Sequence, residues 1–281
     1  MIVLLKNRYF NIGIITSCVT LLILSGIISF ARGNRAVTTI VVAGSTSVQP
    51  YAEILAEEYA LLHPDQAIDI QGGGSSAGIA AAESGTADIG MSSRSLKEKE
   101  QGLWFVEIAK DGLAIITHPQ NPVSYLTMEQ IRNIYIAAVT DWSELGGNKG
   151  RIHVITREEG SGTRSAFEEL VMDVNMTTPK AIVQDSNGAV KQLVADDPNA
   201  IGFISLGLVD HTVKAVHIDG VAASLENVKN GSYGLYRPFY FVTGDQPDGL
   251  SQQFIDFTLS EEGQRMLTKE GLISVIVRAK E

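Results

Sequence analysis

A single cysteine in 281 residues excludes a good deal of chemistry at once. Cys18 lies inside an N-terminal apolar run, so the rest of the chain has no disulfide frame, no thiolate metal site and no cysteine nucleophile. Histidine is scarce at five, and no spacing of His, Asp and Glu suggests a metal site. No Gly-x-x-x-x-Gly-Lys phosphate loop occurs. Basic charge is the next shortage: 22 Lys and Arg stand against 32 Asp and Glu, a net charge of -10. The first 31 residues contribute Lys6 and Arg8 with no acid, so the remainder is more acidic still. Nucleic acid and anionic membrane surfaces both call for basic patches, and neither is expected as a partner. Solenoid repeats and low-complexity blocks are missing too. What remains is an ordinary globular balance, 44% hydrophobic and 19% charged, long enough for two compact lobes.

One long apolar run is present. Ile12 to Ala31 follows Lys6 and Arg8 and reads as a secretory signal or an N-terminal membrane anchor. About 20 apolar residues suffice to span a bilayer, whereas signal cores are usually about 7 to 15 residues. Ser29-Phe30-Ala31 offers small residues for cleavage before Arg32. Ile15-Thr16-Ser17-Cys18 also spells a lipoprotein signal, but cleavage there would leave an apolar tail on the mature chain. Residues 1–36 are therefore expected to be a leader or anchor plus spacer. The protein is expected to be exported, either periplasmic or anchored at the outer face of the cytoplasmic membrane.

Beyond the polar spacer, strand and helix signals alternate. Thr38 to Ala43 is a β-branched strand that runs into Gly44-Ser45-Thr46-Ser47. Val48 to Leu62 has helical apolar spacing, with Pro50 tolerated in the first turn. The unit repeats as a strand at Ala67 to Ile70, a turn at Gly72 to Ser76 and a small-residue helix to Ser84, closed by Gly85. Ala87 to Met91 is a short strand entering Ser92-Ser93-Arg94-Ser95, and a charged helix is expected through Lys97 to Gln101. Leu103 to Thr117 reads as a long buried strand around Asp111-Gly112, and Thr127 with Gln130 forms a capping box. A strand at Arg151 to Thr156 leads through Gly160-Ser161-Gly162-Thr163 into a helix at Arg164 to Met172. Gly188 to Ala195, Ile201 to Leu206 and Val213 to Ile218 continue the alternation, before a strand at Tyr240 to Thr243 and one final amphipathic helix at Leu250 to Lys269. The fold class expected is α/β with mostly parallel strands. Junctions between lobes are placed near Asp111-Gly112 and Tyr236-Arg237-Pro238, giving one lobe of 37–111 with 237–281 and another of 112–236.

Three turns carry more hydroxyls than a helix cap requires: Gly44-Ser45-Thr46-Ser47, Gly74-Ser75-Ser76 and Gly160-Ser161-Gly162-Thr163. Each follows a strand and opens a helix, where unpaired N–H groups and the helix dipole favour an anion. Ser, Thr and Gly are also the preferred N-caps, so any one turn alone reads first as a cap, and only the three together point to a shared site. Arg157, four residues before Ser161, offers forked donors to an oxyanion, or a salt bridge to Glu158 or Glu159. Arg94 reads as a rim residue as readily as a ligand.

Gly74-x-Ser76-x-Gly78 also spells a hydrolase nucleophile elbow. Ser76 would then need an acid and a histidine later in the chain, an order that Asp196 or Asp197 followed by His211 or His217 satisfies. That reading leaves the other two turns unexplained.

Taken together, "VAGSTSVQPYAEILAEEY", "GGGSSAGIAAAESGTADIGMSSRSL", "LTMEQIRNIYIAAVTDWSELGG" and "REEGSGTRSAF" resemble the periplasmic phosphate-binding proteins that serve phosphate-specific ABC transporters. The resemblance covers nearly the whole chain after residue 36. It implies a two-lobed periplasmic-binding-protein fold of type II, with two crossing strands and the anion in the cleft between lobes. It also implies a non-enzymatic monomer without cofactor or metal, with inorganic phosphate and ABC permease subunits as partners. Position by position, the implied ligands are Thr46, Ser47, Ser75, Ser93, Arg157, Ser161, Gly162 and Thr163, with Ser76 as a neighbour. Several relatives place an aspartate at the position of Ser93, where it takes a proton from phosphate and excludes sulfate. Ser93 accepts less selectively, which keeps sulfate or molybdate open as an alternative ligand.

Overall fold

The computed structural model describes residues 37–276, so the leader expected at 1–36 lies outside the described residues. The chain forms β1 (Thr38–Gly44), α1 (Gln49–Leu62), β2 (Gln66–Gly72), α2 (Ser75–Ser84) and β3 (Ile89–Ser92). Then come β4 (Trp104–Thr117), β5 (Tyr125–Leu126), α3 (Met128–Tyr135), β6 (His153–Arg157), α4 (Gly162–Phe167), β7 (Ile182–Gln184) and α5 (Asn187–Asp196). The remainder is β8 (Ala200–Ser205), β9 (Lys214–Ala215), β10 (His217–Ile218), α6 (Leu225–Lys229), β11 (Tyr236–Thr243), α7 (Gly249–Leu259) and α8 (Glu261–Lys269).

The main sheet runs β2-β1-β3-β11-β4-β8-β6-β7, with β9 paired to β4. Its two flanks are parallel, as the strand-turn-helix alternation requires: β1 pairs β2 and β3, and β6 pairs β7 and β8. Its centre is not. β11 is antiparallel to β3 and β4, and β4 is antiparallel to β8, so the sheet is mixed rather than mostly parallel. The late strand β11 returns from a distant part of the sequence, and strand periodicity says nothing about direction.

The two largest apolar cores lie along this sheet. One gathers Ile40, Val42, Leu55, Ile89, Phe239, Phe241 and Phe254. The other gathers Leu113, Ile115, Ile131, Trp142, Phe167, Phe203 and Leu235. β4 feeds both, through Ala109 and Leu113, while Phe239 of β11 joins the first and Leu235, just before β11, joins the second; the two strands pair Asp111 with Arg237 between the cores. Helix α1 shows how spacing becomes packing: Tyr51, Leu55 and Tyr59 recur every four residues and are all buried, while Pro50 sits harmlessly in the first turn. Each such large side chain contributes about 1.5 to 3 kcal/mol on burial.

Four local expectations need correction. The charged segment at Lys97 is only a 3₁₀ turn, Glu98–Glu100, at whose start the Glu100 carboxylate accepts the Lys97 backbone N–H at 2.8 Å. The helix expected from Arg164 to Met172 is α only through Phe167 and continues as a π turn, Glu168–Met172. The strand expected at Val213 to Ile218 is split: β9 joins β4, and β10 pairs with β5 in a separate ribbon. The terminal helix is two helices, broken at Ser260, whose backbone turns extended and whose hydroxyl caps Gly263. Among the described residues no helix is long and apolar enough to cross a membrane.

Candidate functional site

The hydroxyl-rich turns all lie at the carboxyl ends of strands: Ser45 to Ser47 after β1, Gly74 to Ser76 after β2, Ser93 after β3 and Ser161 to Thr163 after β6. The ends of parallel strands are where open α/β sheets present ligand-binding groups. The structure brings the turns together across long sequence separations. Ser47 Oγ is 2.7 Å from Thr163 Oγ1. Ser45 donates to Ser93 Oγ at 2.8 Å, and Ser93 Oγ lies 3.3 Å from Ser75 Oγ, which accepts the Ser93 backbone N–H at 3.0 Å. The Ser76 backbone N–H donates to the Gly160 carbonyl at 3.0 Å. Ser45, Ser47, Ser75, Ser93, Ser161 and Thr163 are all buried.

Gly162 makes that approach feasible. A Cβ placed there would fall inside the contact distance of both Ser75 Oγ and Ser93 Oγ, so only glycine lets the third turn meet the second. Ser161 caps α4, its Oγ accepting the Arg164 N–H at 3.2 Å, which leaves its own proton to donate elsewhere. Ser47, Ser75, Ser93, Gly162 and Thr163 thus meet in one cluster with Ser161 at its edge, and Arg157 links Thr46 to Thr163.

Arg157 supplies the charge. It ends β6 and is 1% exposed. Its Nε and Nη2 hold the two carboxylate oxygens of Glu158, each at 2.9 Å, so the salt bridge read from sequence exists. Nη2 also donates to Thr46 Oγ1 at 3.1 Å and to the Asp185 carbonyl at 3.0 Å. Nη1 stays on the hydroxyl side, 3.5 Å from Thr163 Oγ1. Glu158 therefore orients the guanidinium without covering its inner nitrogen.

Three buried polar residues lie beside the cluster that the sequence does not mark as part of a site, although Asp111 and Arg237 fall at the expected lobe junctions. Asn187, the first residue of α5, donates Nδ2–H to Ser47 Oγ at 2.7 Å. Arg237 of β11 donates Nη2–H to the same oxygen at 3.1 Å and pairs with Asp111 of β4 at 3.0 Å. Asp111 is fully buried and also accepts from Ser205 Oγ at 2.7 Å. Burial pushes its carboxyl above the ordinary range and the Arg237 guanidinium below its own, each opposed by the partner's charge. Arg237 carries a signal in the sequence as the lone charge of its strand, whereas Asp111 shares β4 with Glu107 and Lys110 and does not stand out.

Arg94 and Ser76 stand apart. Both terminal nitrogens of Arg94 go to Glu100, at 2.7 and 3.0 Å, and Nη2 also donates to Ser76 Oγ at 3.2 Å. The Arg94 hydrogen bond is the largest cause of a Glu100 carboxyl held below its usual range. Ser76 is thus served by an arginine, and among the described residues no histidine hydrogen-bonds it. His211 and His217 are exposed, and Asp197 pairs with His153 instead. Gly78 of the elbow spelling packs α2 against β1, since a Cβ there would overlap the Ala43 carbonyl and the Gly44 Cα. Among the described residues no group of His, Cys, Asp and Glu could hold a metal ion.

A PBP superfamily domain matches residues 31–262. The phosphate-binding protein PstS of Bacillus subtilis is 31% identical over 252 residues, covering 87% of this chain and 84% of that protein. A structure from Clostridium perfringens, described as a phosphate ABC transporter substrate-binding protein with bound phosphate, is 48% identical with a TM-score of 0.82, covering 85% of this chain and all of that one, 100%. An ABC-type phosphate transport receptor from Vibrio cholerae is 39% identical with a TM-score of 0.70, covering 84% of this chain and 100% of its own. This chain belongs to the PBP superfamily, within the family of PstS phosphate-binding proteins.

Proposed function

We propose that this protein captures inorganic phosphate outside the cytoplasm and hands it to an ABC importer, acting as a monomeric receptor rather than an enzyme. The observation that carries the reading is the convergence of three turns on one buried cluster, with Ser47 and Thr163 in contact at 2.7 Å and Gly162 bare against Ser75 and Ser93. Thr46, Ser47, Ser75, Ser93, Ser161 and Thr163 offer hydroxyls, the turn at Gly162 offers backbone N–H groups, and Arg157 Nη1 offers positive charge. In a site shut off from water each of these bonds to a charged oxygen is stronger than at the surface. The chain's excess of acid is no obstacle, because exposed charges are screened beyond about 8 to 10 Å at ordinary salt.

The two cores on either side of the Asp111–Arg237 pairing support a two-lobed molecule, with 37–111 and 237–281 in one lobe and 112–236 in the other. Closure would then follow from the anion bridging the two, since only the shut arrangement lets both sets of turns reach it. Capture outside the cytoplasm rests on the apolar run behind Lys6 and Arg8. The first residue of the mature protein recovered from membranes decides between cleaved leader and retained anchor.

A second ligand has one observation in its favour. The hydrogen-bond partners of Ser45, Ser47, Ser75, Ser93 and Thr163 include no carboxylate, so nothing in the cluster demands a proton on the anion. Sulfate and molybdate therefore compete on the same donors. Equilibrium dialysis with radiolabelled phosphate, challenged by unlabelled phosphate, sulfate and molybdate, separates the readings. Saturable phosphate retention is expected. Retention of none, or displacement by sulfate at lower concentration than by phosphate, overturns the assignment.

A further inference from the structure

A closed ring of hydrogen bonds lies beneath the cluster and joins four elements of the fold, β4, β8, β11 and α5, to the turn after β1. Ser47 Oγ accepts from Arg237 Nη2 at 3.1 Å, and Arg237 Nε and Nη2 hold Asp111 Oδ2 at 3.2 and 3.0 Å. Asp111 Oδ1 accepts from Ser205 Oγ at 2.7 Å, and the Ser205 backbone N–H donates to Asn187 Oδ1 at 3.2 Å. Asn187 Nδ2 closes the ring by donating to Ser47 Oγ at 2.7 Å. All five residues are at most 2% exposed, so no member can exchange its partner for bulk water.

The ring fixes the direction of every bond in it. A guanidinium has donors and no acceptor. The backbone N–H of Ser205 can only donate, so the Asn187 amide must present Oδ1 to it and Nδ2 to Ser47. Ser47 Oγ therefore receives two hydrogen bonds, which occupy both its lone pairs, and its one proton must point outward. That proton faces Thr163 Oγ1, which makes Ser47 the donor in the 2.7 Å contact between them. An incoming anionic oxygen competes with a neutral hydroxyl for the same proton and wins, because charge-assisted bonds are about twice as strong.

We infer that Asn187 and Arg237 are positioning residues that hold the Ser47 hydroxyl as a hydrogen-bond donor to the captured anion. This rests on the phosphate reading above. It adds that a residue from α5 and one from β11, neither of them needing to touch the anion, set the polarity of a third that does.

The test is a double-mutant cycle read by calorimetric titration of inorganic phosphate into the full chain. Ser47→Ala removes the donor and is expected to weaken binding about 10-fold or more. Asn187→Ala is expected to weaken it about 10-fold while Ser47 is present, and by less than about twofold when Ser47→Ala is already in place. Equal losses in the two backgrounds overturn the inference, because a merely structural role for Asn187 is indifferent to the hydroxyl at position 47. If Asn187→Ala fails to fold, Arg237→Lys takes its place: it keeps a charge for Asp111 but cannot serve Ser47 in the same fork, and the same dependence on Ser47 is expected. Unchanged affinity in Ser47→Ala beside loss in Thr163→Val overturns this inference alone. Wild-type protein that binds no phosphate overturns the underlying reading.

Discussion

Arg94 and Arg157 look alike along the chain. Each stands at the carboxyl end of a strand of the main sheet, and each pairs with a glutamate. In space the carboxylates approach them differently. Glu100 meets Arg94 end-on and takes both terminal nitrogens, while Ser76 and the Ser95 carbonyl take up what remains of them. Glu158 meets Arg157 side-on, through Nε and Nη2, so Nη1 stays turned toward Thr163. The geometry of the pairing, not the presence of a pair, separates an arginine that locks a loop from one that can grip an anion.

Replacing the two arginines should therefore give opposite phenotypes. Arg157→Leu leaves the anion without its cation and Glu158 without its partner. Phosphate affinity measured by titration should fall by a factor of about 30 to several thousand. Gly162→Ala comes next, since a methyl group must displace Ser75 and Ser93 to fit. Overpacking of this kind costs about 1 to 3 kcal/mol, and an affinity loss of about 5- to 150-fold is expected in the same titration. Arg94→Leu should act mainly on stability: stranding the buried Glu100 costs about 3 to 5 kcal/mol in denaturant unfolding, with affinity changed by less than about threefold. Smallest is Ser76→Ala, which removes one hydrogen bond from a half-buried hydroxyl and should alter phosphate affinity less than about twofold.

Acid sharpens the same contrast. The Glu100 carboxyl is depressed in the folded protein, chiefly by its hydrogen bond to Arg94. Its stabilising contribution is complete above the unfolded carboxylate range, about pH 4 to 5, and is lost as pH falls through the lower folded value. A Glu100→Gln variant should therefore lose less stability than wild type between pH 5 and the acid limit, measured by thermal melting across that range.

The three turns were legible because each needs a particular residue at a particular backbone position. Positive-φ glycines at Gly44 and Gly74, the bare Gly162 and the hydroxyl cap Ser161 mark strand-turn-helix joins whatever the tertiary arrangement. The direction of β11 was not legible, since alternation along Tyr236–Thr243 describes its faces and not its neighbours. The break at Ser260 was hidden because Phe254 and Ile255 before it and Leu267 after it bury toward one core, which keeps the apolar spacing nearly continuous. Asn187 went unread for a simpler reason. Beside its cap Ser186 it looks like an ordinary helix start, and only the fold brings it to Ser47 across 140 residues. Asp111 and Arg237 were noticed as junctions, but their value as a buried charge pair depends on the antiparallel register that places them opposite each other.

The central claim is that an oxyanion is gripped by Arg157 together with hydroxyls from three separate turns. Calorimetric titration of phosphate into wild type and Arg157→Leu tests it most directly. The account predicts saturable binding at one site in the first and a loss of at least about 30-fold in the second. Wild-type protein that gives no saturable heat, or an Arg157→Leu variant that binds phosphate with unchanged affinity, would contradict it.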